Sequence, residues 1–322
     1  MSQAERVRGG APEPGAGPRG GTAPGGATAP GGATAPGGAE RRPSPLWTLA
    51  LFRSELVVTL RRWRTLALLG ILAALPVIVG IAVKVETGEG GGTVDSSGEG
   101  PAFINQVTNN GLFLVFTALA ATLQFFLPMT VGVVGGDSVA GEASAGTLRY
   151  LLVAPAGRTR LLLAKFTAVV TFCLLATLTV AVSALLVGAL FFPLGDVTLL
   201  SGVTVSFSEG LLRALVIAVV VALSLVGLAA VGLFVSTLTN SGIAAMTTTV
   251  GLLIVVQIVG AIPQLDVLHP YLFQYHWMSF ADLLRDPVPW GDLTANATMQ
   301  AVYAAVFGSA AWARFTTRDI TA

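Results

Sequence analysis

Six long apolar blocks, at 66–83, 111–134, 166–192, 214–235, 243–262 and 297–313, set the terms for any fold this chain can adopt. Each reaches or approaches the roughly 20 residues that carry a helix across a bilayer core. The chain is long enough for one or two soluble domains, but only 11% of its residues are charged, against about 25% in soluble domains. A water-facing surface cannot be built from so few charges. The sequence therefore predicts an all-α integral membrane protein with six transmembrane helices. The last block is the weakest, because Thr298 and Gln300 dilute its start. Pro76 and Pro128 are expected to kink their helices and free a backbone carbonyl for a packed neighbour or a water.

The basic residues orient the spans. With the N-terminus inside, the inner flanks hold Arg41, Arg42, Arg53, Arg61, Arg62, Arg64, Arg149, Arg158, Arg160, Lys165, Arg314 and Arg318, and the outer segments only Lys84, Arg213 and Arg285. Positive charge collects on the cytoplasmic side. Both termini are expected in the cytoplasm and the chain in the inner (plasma) membrane.

Three regions divide the chain. Residues 1–45 are dominated by Gly, Ala and Pro, with a GGATAP repeat. They have little to bury against the entropy of ordering and read as a disordered cytoplasmic tail. In 46–64, Leu49, Phe52, Leu56, Leu60 and Trp63 recur at steps of three and four, with Arg53, Ser54, Glu55, Arg61 and Arg62 on other faces. That is an amphipathic basic helix suited to the membrane interface. Residues 65–322 form the six-span domain. Its 263–296 segment is rich in Tyr, Trp, His and Pro and reads as short outer helices placing aromatic rings at the headgroup layer.

Little in the sequence points to chemistry. Cys173 is the single cysteine, so no disulfide forms within the chain. His269 and His276 with Asp266 and Asp282 lack the spacing of a metal or hydrolase motif. No catalytic, cofactor-binding or metal residue is assigned, and a net charge of +1 gives no argument for nucleic acid. The apolar blocks hold no Asp or Glu, which disfavours ion-coupled porters that need ionisable groups at membrane depth. Gln124 and Gln257 are the main polar side chains within the blocks. They are candidates for lining a translocation path, with interhelical hydrogen bonding the favoured role.

The segment between the second and third blocks, 135–166, reads GGDSVAGEASAGTLRYLLVAPAGRTRLLLAKF. Physically it is a short helix, a turn at Pro155 and a basic return to the membrane, exposed to the cytoplasm. Gly141, Glu142, Gly146, Thr147, Leu148, Leu151, Leu152, Pro155, Arg158 and Lys165 together resemble the E-x-x-x-G-T-L…P-x-x-R…K signature of ABC type-2 permeases, the membrane subunits of ATP-binding-cassette exporters. The resemblance covers residues 46–322.

The resemblance implies a permease that forms the translocation path and couples to a separate ATPase. This segment would form a coupling helix, with Glu142, Gly146, Thr147 and Arg149 at the ATPase contact, Pro155 and Arg158 shaping the return and Lys165 marking the membrane boundary. The chain carries no G-x-x-x-x-G-K-[ST] phosphate loop, so ATP and Mg are expected on the partner. The implied assembly is two ABC ATPase subunits and a second permease chain, identical or not, in the lipid bilayer. The alternatives are an ATP-independent porter or channel and a non-transporting ABC membrane subunit. A membrane enzyme is disfavoured by the lack of a paired nucleophile and base.

Overall fold

The computed structural model describes residues 45–88, 107–146 and 157–317; the tail expected to be disordered lies outside them, as does the stretch 147–156. Among the described residues nine α-helices carry the architecture: α1 (Pro45–Arg61), α2 (Trp63–Gly88), α3 (Phe113–Gln124), α4 (Phe126–Ser144), α5 (Arg158–Phe191), α6 (Phe207–Ser224), α7 (Val226–Leu238), α8 (Gly242–Ala261) and α9 (Trp290–Thr317). Two 3-10 segments, Pro263–Tyr271 and Trp277–Leu284, precede α9.

Among the described residues four helical stretches are long and apolar enough to cross a membrane: Trp63–Val85, Arg158–Phe191, Phe207–Leu238, in which α6 runs on into α7, and Gly242–Ala261. α3 and α4 pass the same test only as a pair bent by 53°. The bend falls at Phe125, where the backbone leaves helical geometry. Its cause lies one turn on: Pro128 has no N–H to give the carbonyl of Gln124, and its ring crowds that carbonyl. α2, by contrast, runs through Pro76 as one helix, so the kink expected there does not interrupt it.

The ends of the helices sort into two groups. At one, which we call the arginine end, Val139 and Ala140 late in α4 donate to Ser236 late in α7. There too Trp312 late in α9 donates to Thr159 at the start of α5. At the other end, Asn110 donates to the carbonyls of Gly195 and Asp196, and Leu200 to that of Leu284. Here the chain forms an element absent from the all-α expectation, a two-stranded antiparallel ribbon pairing β1 (Val197–Thr198) with β2 (Thr204–Val205). Gly202, at φ +82°, makes the turn, and the ribbon buries Val197, Leu199 and Val205. Beside it the backbones of Gly111 and Gly188 approach so closely that a Cβ on either would overlap the carbonyl of the other.

α9 is the helix whose role the sequence left weakest. Its 28 residues span about 42 Å at 1.5 Å per residue, yet it does not meet the apolarity test for a span. Of the two polar residues that dilute its start, Thr298 is exposed but Gln300 points into the protein, as does Asn296 one turn before it. Asn296 and Gln300 are each 3% exposed. Asn296 donates to Ser224 at 2.6 Å, while Gln300 accepts from Gly227 N–H at 3.1 Å and donates to the Phe273 carbonyl at 2.8 Å. These bonds sit where α6 gives way to α7, so polarity in α9 satisfies backbone that a pair of unbroken helices would have satisfied internally.

Of the outer aromatics, Phe273, Trp277 and Phe280 are buried, whereas Tyr271, Tyr275 and Trp290 are exposed. The segment is thus half core and half surface. Among the described residues the core is one large apolar cluster drawing on α2 to α9, the ribbon and the second 3-10 segment, with two smaller clusters around Leu161 and Ala245 at the arginine end.

Candidate functional site

The arginine end holds the densest chemistry among the described residues. Lys165, seven residues into α5, is 2% exposed, and its ammonium lies 2.9 Å from Glu55 Oε2 on α1 and 2.6 Å from Glu142 Oε1 on α4. A buried ammonium is tolerated only when paired, and here two carboxylates from two other helices pair with it. One helical turn before Glu142, Asp137 is 6% exposed and accepts from both Arg62 and Arg64, the latter at 3.0 Å. Three cations and three carboxylates thus balance around a small cavity of about 20 Å³ lined also by Met246 of α8.

This geometry corrects two expectations. The 135–144 stretch is helical as expected, but it is the continuation of α4 to Ser144 and not a separate short helix exposed to the cytoplasm, with Asp137, Val139, Ala140 and Glu142 buried. Consequently a helix of the bundle does carry acidic residues, near its arginine end. Glu55, grouped in the sequence with the water-facing residues of the first helix, instead turns inward to Lys165, while Arg53 and Ser54 remain exposed. The signal that the sequence offered was the position of Asp137, three residues past an unbroken apolar block. An ionisable group there has to find a partner.

The sequence-predicted coupling residues divide accordingly. Glu142 and Lys165 are brought together as a direct ion pair. Gly146, exposed and at φ +68°, makes the turn out of α4 in the left-handed region that favours glycine. Arg158 opens α5 and donates to the Thr316 carbonyl at 2.8 Å, tying the return of the chain to the end of α9. Thr147, Arg149 and Pro155 lie outside the described residues.

Gln124 and Gln257 meet where α3 ends, four residues before the end of α8. Gln257 Nε2 donates to the backbone carbonyl of Gln124 at 2.7 Å, the very carbonyl that Pro128 leaves without an intrahelical donor. Gln257 therefore acts as interhelical glue, and the pair also lines a cavity of about 230 Å³ under the 3-10 segments. His269, far from any metal cluster, has Nε2 3.1 Å from the Val259 carbonyl. Among the described residues no group of three or more His, Cys, Asp or Glu side chains is arranged to hold a metal ion.

A family model described as "Protein of unknown function (DUF2705)" matches residues 96–321, more than half of the chain. The chain belongs to this family. The DUF2705 match takes in Asp137, Glu142 and Lys165 as well as the Gln124–Gln257 elbow, while Glu55, Arg62 and Arg64 precede it. The ion-pair network of this DUF2705 protein thus joins the matched region to α1 and the start of α2 in front of it. No curated protein matches the chain.

Proposed function

We propose that this protein is the membrane-spanning permease subunit of an ATP-driven exporter of the ABC type-2 class, powered by a separate cytoplasmic ATPase. The observation that carries the reading is the Glu142–Lys165 ion pair. The two ends of the 147–156 stretch are the last turn of α4 and the first turns of α5. Those turns are tied to each other at 2.6 Å and to α1 through Glu55 at 2.9 Å. A force applied by a partner to that stretch would therefore act on three helices together. A solvated connector whose arginines only set topology would have no need of a buried network behind it.

In this reading the chain crosses the membrane six times. The bent α3–α4 pair counts as one crossing and α9, with Asn296 and Gln300 turned inward, as the sixth. The arginine end faces the cytoplasm, since Arg53, Arg61, Arg62, Arg64, Arg158, Arg160, Lys165 and Arg314 gather there. The ribbon end, with Asp196, Glu209, Asp266, Asp282, Asp286 and Asp292, faces out. α1 lies along the cytoplasmic interface, with its Val57 and Val58, and Trp63 at the start of α2, presented outward. The chain has no catalysis of its own; ATP and Mg belong to the ATPase, and a second permease chain completes the path.

Affinity purification of the full chain from its native membrane tests the proposal. Vanadate-sensitive ATP hydrolysis is expected to co-purify with it, and to be lost in the double variant Gly146→Leu/Arg149→Glu, which leaves the buried ion pairs intact. Transport by the purified chain alone in liposomes, without ATP and indifferent to vanadate, would replace this reading with a porter or channel.

A further inference from the structure

At the arginine end, the charge that reaches the surface is all of one sign. The described acids there, Glu55, Asp137 and Glu142, are buried and each is paired with a cation, whereas Arg53, Arg61, Arg160 and Arg314 are exposed. The arginines crowd most closely at the corner where α1 ends at Arg61 and α2 begins at Trp63, with Arg61, Arg62 and Arg64 inside one run of four residues. On α1 itself Arg53, Ser54, Val57, Val58 and Arg61 are exposed, and at about 100° per residue they share an arc of roughly 140°. Among the described residues nothing packs over that face, which mixes arginine with valine.

The corner sits at headgroup level. Trp63 is the first residue of the apolar stretch Trp63–Val85, and it is 81% exposed, with Leu66 50% exposed one turn on. Tryptophan favours the membrane–water boundary. An acidic protein surface would meet the arginines but leave the valines and the indole unexplained, whereas a bilayer surface takes both, apolar side chains among the acyl chains and arginines at the phosphates. The guanidiniums differ in what they already hold. Arg62 pairs with Asp137 and is 28% exposed. Arg64 reaches the same Asp137 oxygen at 3.0 Å through one nitrogen and the Met246 sulfur at 3.5 Å through the other, with its side chain 55% exposed. Arg61 makes no hydrogen bond or ion pair among the described residues. A guanidinium carries five N–H donors in a fork that matches phosphate, so Arg61 has its whole fork to offer and Arg64 part of one.

We infer that the α1–α2 corner is a site for the phosphate of an anionic phospholipid, held by Arg61 and Arg64, and that this lipid shares Arg64 with Asp137. A zwitterionic lipid brings its own ammonium to the same cluster of arginines and is disfavoured by it. The shared arginine links the charge of the surrounding lipid to the buried network, because Arg64 is one of the two cations that hold Asp137 of α4. The inference takes from the permease reading only the placement of α1 along the membrane interface, and it needs no ATPase.

Native mass spectrometry of the full chain in detergent, titrated with phosphatidylglycerol or with phosphatidylcholine of the same acyl chains, reads the affinity of the first lipid bound. Phosphatidylglycerol is expected to bind at least roughly fivefold tighter, the worth of one basic residue at an anionic surface, and excess inorganic phosphate should not displace it. Arg61→Gln and Arg64→Gln should each remove most of that preference; either serves if the other fails to fold. Arg160→Gln and Arg314→Gln, on other helices of the same end, should change it less than about twofold. Asp137→Asn, which releases Arg64, should tighten phosphatidylglycerol binding. Equal affinity for the two lipids, displacement by inorganic phosphate, or equal losses in all four arginine variants overturns the proposal. So does loss of ATPase co-purification in Arg61→Gln with lipid affinity unchanged, which would make the corner a protein contact. A phosphatidylglycerol preference kept by a chain that brings no ATPase out of its native membrane would sink the permease reading and leave the lipid site standing.

Discussion

Replacing Lys165 by Met tests the buried network at its centre. The ammonium is 2% exposed and lies within 2.9 Å of Glu55 and 2.6 Å of Glu142. Met fills nearly the same space, so the loss is one of charge. With Asp137 still held by Arg62 and Arg64, the substitution strands two buried carboxylates that face each other across the vacated position. Removing one partner of a buried ion pair typically costs about 3–5 kcal/mol, most of it the penalty of the charge left behind. The same logic predicts the opposite for joint removal. Lys165→Met with Glu55→Leu and Glu142→Leu leaves Asp137 as the buried carboxylate of the network, still paired with Arg62 and Arg64, and such replacements are often neutral or stabilising by about 1–4 kcal/mol. Unfolding of the detergent-solubilised protein in increasing SDS measures both. The triple variant should recover most of what the single variant loses. A cost below about 1 kcal/mol for Lys165→Met, the size of an exposed pair, would refute the buried network. A triple variant no better than the single would refute charge imbalance as its cause.

Four further outcomes follow from the same structure. Gln257→Leu leaves the Gln124 carbonyl without its donor and should cost about 1–3 kcal/mol in the SDS assay; in a Pro128→Ala background, which restores an intrahelical N–H, the cost should shrink. Gly111→Ala or Gly188→Ala forces a Cβ into the facing backbone and should destabilise by about 1–3 kcal/mol or more, since backbone cannot rotate away as a side chain can. Gln300→Leu orphans the Gly227 N–H and the Phe273 carbonyl, at about 1–3 kcal/mol for each group, whereas Thr298→Leu on the exposed face of α9 should be close to neutral. In a Cys173→Ser background, an impermeant maleimide applied to right-side-out vesicles should label Ser201→Cys but neither Arg160→Cys nor Thr317→Cys; labelling of Thr317→Cys together with Ser201→Cys would show that α9 does not cross.

The sequence by itself determined where the apolar helices lie and that they belong in lipid. That information is local: about 20 residues without charge have few alternatives once the backbone must satisfy its own hydrogen bonds. All six blocks are helical in the structure, and the Pro128 bend was legible because proline acts on the carbonyl one turn before it. The separation of charge between the two ends was legible for the same reason, being a property of position along the chain. What the tertiary structure alone decided is which polar groups face one another. Glu55 and Lys165 are 110 residues apart and Arg62 and Asp137 are 75, and no local period distinguishes an acid that turns inward from one that turns to water. In the 135–144 stretch, glycine and acidic residues argued for a short helix exposed to the cytoplasm, and the pairing of Asp137 and Glu142 with distant cations buries it instead. α9 makes the same point in reverse: Thr298 and Gln300 weakened it as a span in the sequence, and while Thr298 is exposed, Gln300 together with Asn296 fastens it to α6, α7 and the outer segment. Hydropathy counts polar atoms without regard to their partners, and only the packed structure supplies the partners that make burying them affordable.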